Sequence, residues 1–109
     1  MFPREQRLRS GKEIIFTLRR GNRRSAGPIA CSFIGKPGML GRSTVIVDSK
    51  VAKRATERNL LKRRVRTVLL EHSVPAGDLV VRLYKGSEQM DFATLRSHLL
   101  VCLQKLSSG

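Results

Sequence analysis

Lys53 to Arg66 read KRATERNLLKRRVR, a segment with seven basic residues and one acid that also carries helical apolar spacing. At roughly 100° per residue, Leu61, Val65, Val68 and Leu69 fall on one face. Asn59, Lys62, Arg63 and Arg66 fall in a neighbouring polar arc of roughly 100°. The spacing predicts a helix from about Ala52 to Glu71, with one side to bury and another presenting guanidinium and ammonium groups. Such a face suits phosphate oxygens, because Arg binds them bidentately and Lys adds a compact charge. Thr44 to Val47 before it and Leu79 to Tyr84 after it have strand character, so the basic helix connects two strands.

Further out, Ser10-Gly-Lys-Glu13 reads as a capping box, with a helix to about Arg20 that Gly21 ends. Ile14, Ile15 and Leu18 share one face of it, and Phe16 points elsewhere. Residues 22–27 (NRRSAG) read as loop, with room for a short further strand. Pro28 to Ile34 is an apolar strand, and GKPGMLGR (35–42) reads as a hairpin linker. That linker lacks the GK[ST] ending of a phosphate-cradling loop. Pro75 to Asp78 is a turn. Asp91 caps a last helix, in which Phe92, Leu95, Leu99, Cys102, Leu103 and Leu106 recur at i, i+3/i+4 spacing before a frayed SSG end. The order α–β–β–α–β–α predicts an α+β fold over residues 1–109 as one domain. Two hairpin strands and a strand reached through a helix form its mixed sheet, with helices packed on it.

Net charge sharpens the functional expectation. The chain has 22 Lys/Arg against 8 Asp/Glu, a net charge of +14. Eighteen of the basic residues but only four of the acids lie in residues 1–66, and the remainder is balanced. Solubility alone needs a magnitude of only ~2–8. A polyanion on one side of the fold is the expected partner. No apolar run approaches the ~18 residues of a membrane span, and MFPREQRLR has no apolar core after its charges, unlike a signal peptide. Cys31 and Cys102 sit apart in apolar contexts, as buried reduced thiols of a cytosolic protein would, and form no C-x-x-C metal pair.

Chemistry by the protein itself finds little support. Metal-assisted phosphodiester hydrolysis needs clustered carboxylates, and the eight acids here are scattered. His72 ends the basic helix, where it interacts with the helix C-terminus, and His98 falls off the apolar stripe as a surface residue. No catalytic residue and no metal ligand are therefore assigned. Phe16 has two readings, core or a platform for an unpaired base; spacing alone favours core. Arg19, Arg20, Arg23 and Arg24 form a second basic cluster, which suits a long or two-sited nucleic acid. A DNA-binding helix-turn-helix is not evident, because strands flank the basic helix.

Ala55-Thr-Glu-Arg58-Asn59-Leu60-Leu61-Lys62-Arg63 resembles the A-x-x-R-N-R-x-K-R signature of the protein subunits of bacterial ribonuclease P. Ser49-Lys50 matches the S-K or A-K after that family's second core strand, and FPREQRLRS matches its N-terminal pattern. The resemblance spans about Phe2 to Leu106. Leu60 stands where the motif has its second Arg; Arg64 could substitute only from a different azimuth; and Ile14 and Leu18 replace frequent aromatics. A structural rRNA-binding ribosomal protein shares size, charge and fold, but has no reason to keep this register. The resemblance implies a two-layer, ribosomal-protein-like sandwich on a mixed four-stranded sheet, with a left-handed β–α–β crossover through the basic helix. It also implies a cytoplasmic ribonucleoprotein in which a catalytic RNA removes the 5′ leader of precursor tRNA, using Mg²⁺ bound mainly by the RNA. RNA contacts are then expected at Lys50, Lys53, Arg54, Arg58, Asn59, Lys62, Arg63, Arg64 and Arg66. A leader cleft is expected along Ile14, Phe16, Leu18 and Arg19.

Overall fold

Why each segment takes its shape is visible in a computed structural model that describes residues 7–72 and 74–108. Phe2 to Gln6 of the N-terminal pattern and Gly109 of the tail lie outside the described residues. Helix α1 spans Gly11–Arg20, with the Ser10 hydroxyl accepting from the Glu13 backbone N–H at 3.4 Å. Strands β1 (Asn22–Ala26), β2 (Ile29–Gly35) and β3 (Arg42–Val47) follow. Then come helix α2 (Ala55–Glu71), strand β4 (Gly77–Leu83), a 3₁₀ turn at Ser87–Gln89 and helix α3 (Phe92–Ser108). The Asp91 carboxylate accepts from the Thr94 N–H at 2.8 Å, which starts α3 as its sequence position suggested.

The four strands lie in the order β1-β2-β4-β3. β1 and β2 are antiparallel, β2 and β4 are antiparallel, and β3 runs parallel to β4 through the α2 crossover. The mixed four-stranded sheet expected from the resemblance is therefore present, and the short further strand for which 22–27 left room is β1, but the reading of 35–42 as a hairpin linker is corrected. Residues 22–26 are a strand. The hairpin turns at Gly27-Pro28, where Gly27 has φ +57°, a conformation an L side chain rarely adopts. The 35–42 linker does not join a hairpin: β4 lies between the strands it connects.

Strand alternation sorts the sheet into two faces. Ile29, Cys31, Val45, Val47, Leu79, Val81 and Leu83 point to one side. There they form a continuous core with Leu61, Val65, Val68 and Leu69 of α2 and Leu95, Leu99 and Cys102 of α3. Phe92, Leu103 and Leu106 pack partly buried against it, as their spacing predicted. Cys31 and Cys102, distant in sequence, meet in this core as free thiols, and each perturbs the other's ionisation. The opposite face carries α1, which packs on β2 and β4. Thr17 is its buried residue, while Ile15, expected on the packed face, is exposed.

Asp78, expected in a turn, is the second residue of β4 and only 1% exposed. It accepts from Lys36 Nζ at 2.6 Å and Arg42 Nε at 2.9 Å. Both cations also reach the Glu13 carboxylate on α1, Lys36 at 3.3 Å and Arg42 through Nη2. This four-membered network ties the N-terminal end of α1 to the sheet.

Candidate RNA interface

α2 starts three residues later than its spacing suggested, because Val51 and Ala52 are buried in the core. The Asp48 carboxylate accepts from the N–H of Lys50 at 2.9 Å and of Val51 at 3.2 Å, which turns the chain out of β3. Lys50, Lys53 and Arg54 consequently stand exposed on the loop that leads into α2. Asn59 and Arg63 are exposed on the helix and Lys62 is half-buried beside them. These six residues form a continuous polar array running from the loop onto the outer side of α2.

Of the other three expected RNA contacts, Arg58 and Arg64 are engaged within the protein and Arg66 is half-buried. Arg58 has an azimuth inside the apolar arc, so it folds inward. Its Nη1 donates to the Ala52 carbonyl at 2.9 Å and the Lys53 carbonyl at 2.8 Å. Arg64 leans toward the loop before α3, donating to the Met90 carbonyl at 3.3 Å. Arg66 is half-buried, and desolvation together with the charge of Arg7 pulls it below the usual guanidinium range. Leu60 is 42% exposed, on the outer side of the helix.

The residues expected in a leader cleft do not share one surface. Ile14 and Leu18 are half-buried on the Thr17 side of α1. Phe16, 54% exposed, and Arg19 lie on the outer side with Ile15. The preference for Phe16 as core is therefore corrected: at 100° per residue it sits about a quarter turn from the buried Thr17. The second basic cluster is likewise divided, with Arg19 and Arg20 closing α1 and Arg23 and Arg24 in β1.

Two residues missed in the sequence complete this side of the molecule. Arg82 and Tyr84 point to the face that carries α1, as does Arg23. Arg23 Nη2 donates to the Tyr84 hydroxyl at 2.8 Å, and its guanidinium carbon lies 5.8 Å from the ring centroid. The Arg82 guanidinium carbon lies 5.1 Å from the same centroid. A ring with two cations close to it suits a nucleic-acid strand, which an aromatic ring can stack on and guanidinium groups can bind through phosphates. The i, i+2 spacing of Arg82 and Tyr84 in LVVRLY was the available signal. His98 was expected at the surface, but it is half-buried, and its ring sits where a Cβ at Gly27 would be.

The described acids all have local partners. Glu13 and Asp78 belong to the ion network, Asp48 and Asp91 cap turns, and Glu88 accepts from the Gly86 N–H at 2.6 Å. Glu57 pairs with Arg54 at 3.9 Å and Glu71 with Arg96 at 3.2 Å. Among the described residues, no three of His, Cys, Asp and Glu come together to hold a metal ion, and no helix is long and apolar enough to cross a membrane.

A basic helix crossing between parallel strands, over a sheet whose other face carries arginines around a tyrosine, defines a small α+β RNA-binding protein of a ribonucleoprotein. Residues 2–107 match the ribonuclease P protein family, and the chain belongs to it. It is 38% identical over 98 residues to the ribonuclease P protein component of Pectobacterium atrosepticum, covering 86% of this chain and 81% of that one. It is 32% identical over 102 residues to that of Clavibacter michiganensis, covering 91% and 90%. The ribonuclease P protein from Thermotoga maritima superposes with a TM-score of 0.80 at 28% identity, over 91% of this chain and 96% of that one. The Staphylococcus aureus protein has the same fold, with a TM-score of 0.82 at 17% identity over 91% and 93%.

Proposed function

We propose that this chain holds the catalytic RNA of ribonuclease P with the Lys50–Arg63 array and guides the 5′ leader of precursor tRNA along the open sheet face beside α1. The observation that carries this is the division of charge between two surfaces. One is the loop-and-helix array of Lys50, Lys53, Arg54, Asn59, Lys62 and Arg63. The other is the Arg23–Tyr84–Arg82 platform on the opposite side of the sheet, which suits a single strand by stacking and phosphate contact. Phe16 and Arg19, exposed on the outer side of α1, add an aromatic and a basic side chain to the helix that lies on this face of the sheet.

Cleavage is carried by the RNA, with Mg²⁺ bound mainly there. The engaged carboxylates of the protein support this, because each already serves a cap or an ion pair. By binding both RNA and leader the protein lowers the Mg²⁺ needed, and the complex works in the cytoplasm. Reconstitution tests this. Purified chain, ribonuclease P RNA and precursor tRNA are mixed at low Mg²⁺, where the RNA alone is slow. Release of the 5′ leader should rise with protein; no rise at any protein concentration overturns the proposal.

A further inference from the structure

We propose that Cys31 and Cys102 are a disulfide-forming pair, which a small hydroperoxide converts to an intramolecular link between β2 and α3. The chain has two cysteines, and the fold brings them together from opposite ends of the sequence. Cys31 is the third residue of β2, on the sheet face that α3 covers. Cys102 lies on the buried stripe of α3 with Leu95 and Leu99. Its Sγ is 3.6 Å from the carbonyl oxygen of Ile29, two residues before Cys31 on the same face of β2. Both thiols are fully buried, and the two side chains hydrogen-bond to one another.

The two thiols are not equivalent. The hydrogen bond with Cys31 lowers the Cys102 thiol against burial, and the Lys105 charge and the Ala26 N–H act in the same direction. The same contact, together with burial, pushes the Cys31 thiol well up. Cys102 is therefore the one that forms a thiolate, and Cys31 holds its proton. Cys102 also has the thinner cover: Val101 and Lys105 beside it on α3 are exposed, and Ala26 belongs to the edge strand β1.

The step balances with hydrogen peroxide as the oxidant. The Cys102 thiolate takes one peroxide oxygen as the O–O bond breaks, and the departing hydroxide takes up the thiol proton as water. The Cys31 sulfur then attacks the Cys102 sulfenic acid. An S–S bond forms, the S–O bond breaks, and a second water leaves with the Cys31 proton. Two thiols are oxidised by two electrons in all, and one peroxide is reduced to two waters. The link lies inside the core, away from the Lys50–Arg63 array and from the sheet face that carries Tyr84. It fastens α3 to the sheet without occupying either surface, and thiols reverse it.

Hydrogen peroxide added to the whole reduced chain tests the pair. The expected product is a monomer lighter by two hydrogen atoms, with no thiol left to titrate in denaturant and both restored by dithiothreitol. Persisting thiols, a product heavier by oxygen, or a disulfide-linked dimer overturns the proposal. An unfolded chain can oxidise too, so equilibrium reads the fit. In a glutathione buffer of fixed ratio, the native chain should favour the disulfide roughly tenfold or more over the chain in urea. By the same linkage the oxidised form should melt higher than the reduced one. An equal or smaller preference in the native chain, or a lower melt, shows that the sulfurs do not meet in bonding geometry and overturns the pair. These arms use the wild type, so they stand even if an alanine variant unfolds. In folded variants, Cys31→Ala should leave a Cys102 that gains oxygen from peroxide, whereas Cys102→Ala should leave a Cys31 that reacts more slowly. Equal reactivity of the two overturns Cys102 as the attacking thiol.

Discussion

Arginines of one sequence motif have different tasks here, and the side-chain contacts separate them. Arg58 closes the start of α2 by bonding two loop carbonyls, whereas Arg63 touches nothing of the kind. Arg58→Ala should lower the melting temperature as well as RNA affinity, losing on the order of 1–3 kcal/mol for the charged hydrogen bonds. Arg63→Ala should weaken RNA binding at unchanged melting temperature; equal melting of both variants would contradict the contacts of Arg58. Leu60 occupies the motif's second Arg position and is solvent-exposed. Leu60→Arg should therefore keep stability within about 0.5 kcal/mol, as surface changes do, and preserve or tighten RNA binding. Asp78 gives a pH signature. Burial pushes its carboxyl up, but hydrogen bonds from Lys36 and Arg42 outweigh that and hold it below the usual carboxylate range. The resulting stabilisation is fully present above the unfolded value of about 3.9 and is lost as the pH falls below it toward the lower folded value. Asp78→Asn should cost on the order of 3 kcal/mol at neutral pH, at the low end for buried pairs because Lys36 and Arg42 keep solvent access. The gap between variant and wild type should narrow in melts taken below about pH 4.

At the scale of elements, α2 is decided by its buried stripe. Leu61→Ala should cost about 2–5 kcal/mol, read as a shift in denaturant midpoint, because the side chain is buried in the core that α2 shares with the sheet and α3. Wild-type stability in that variant would mean a different rotation of the helix. The helices were legible in the sequence because their signals are local: Ser10 and Asp91 cap, Gly21 stops, and apolar residues recur every three or four positions. The sheet was legible only in part. NRRSA carries no apolar alternation because β1 is an edge strand, so the sequence left room for a short strand there without fixing its bounds. The Gly- and Pro-rich 35–42 stretch looked like a hairpin, yet which strands pair is settled by β4, more than thirty residues downstream. Among site residues, the Asn59, Lys62 and Arg63 part of the array could be read from the α2 azimuths. The inward turn of Arg58 needed the buried Ala52 loop, and the Arg23–Tyr84 contact joins residues 61 positions apart.

For the whole molecule, binding and chemistry are separable. Changing Asp48, Glu57, His72 or His98 singly should leave the cleavage rate at saturating Mg²⁺ nearly intact in variants that still fold. Losing a true general acid or base would cost ~10²–10⁴-fold. Single-turnover cleavage across a Mg²⁺ series measures this, and a collapse of the saturated rate in a folded, RNA-binding variant would place the chemistry in the protein. The sheet order has a consequence for how the molecule comes into being. β4 joins the β1–β2 hairpin to β3, and it is the last strand to be synthesised. Until Gly77–Leu83 has emerged from the ribosome, β3 has no neighbour in the sheet other than the short Arg7–Leu8 segment, and α2 has no complete surface to rest on. The most basic part of the chain is thus made well before the element that orients it. A nascent chain stopped short of β4 would carry the charge of the RNA-binding segment without its geometry, attracting polyanions with little discrimination among them. Selective recognition begins only when the final strand is inserted.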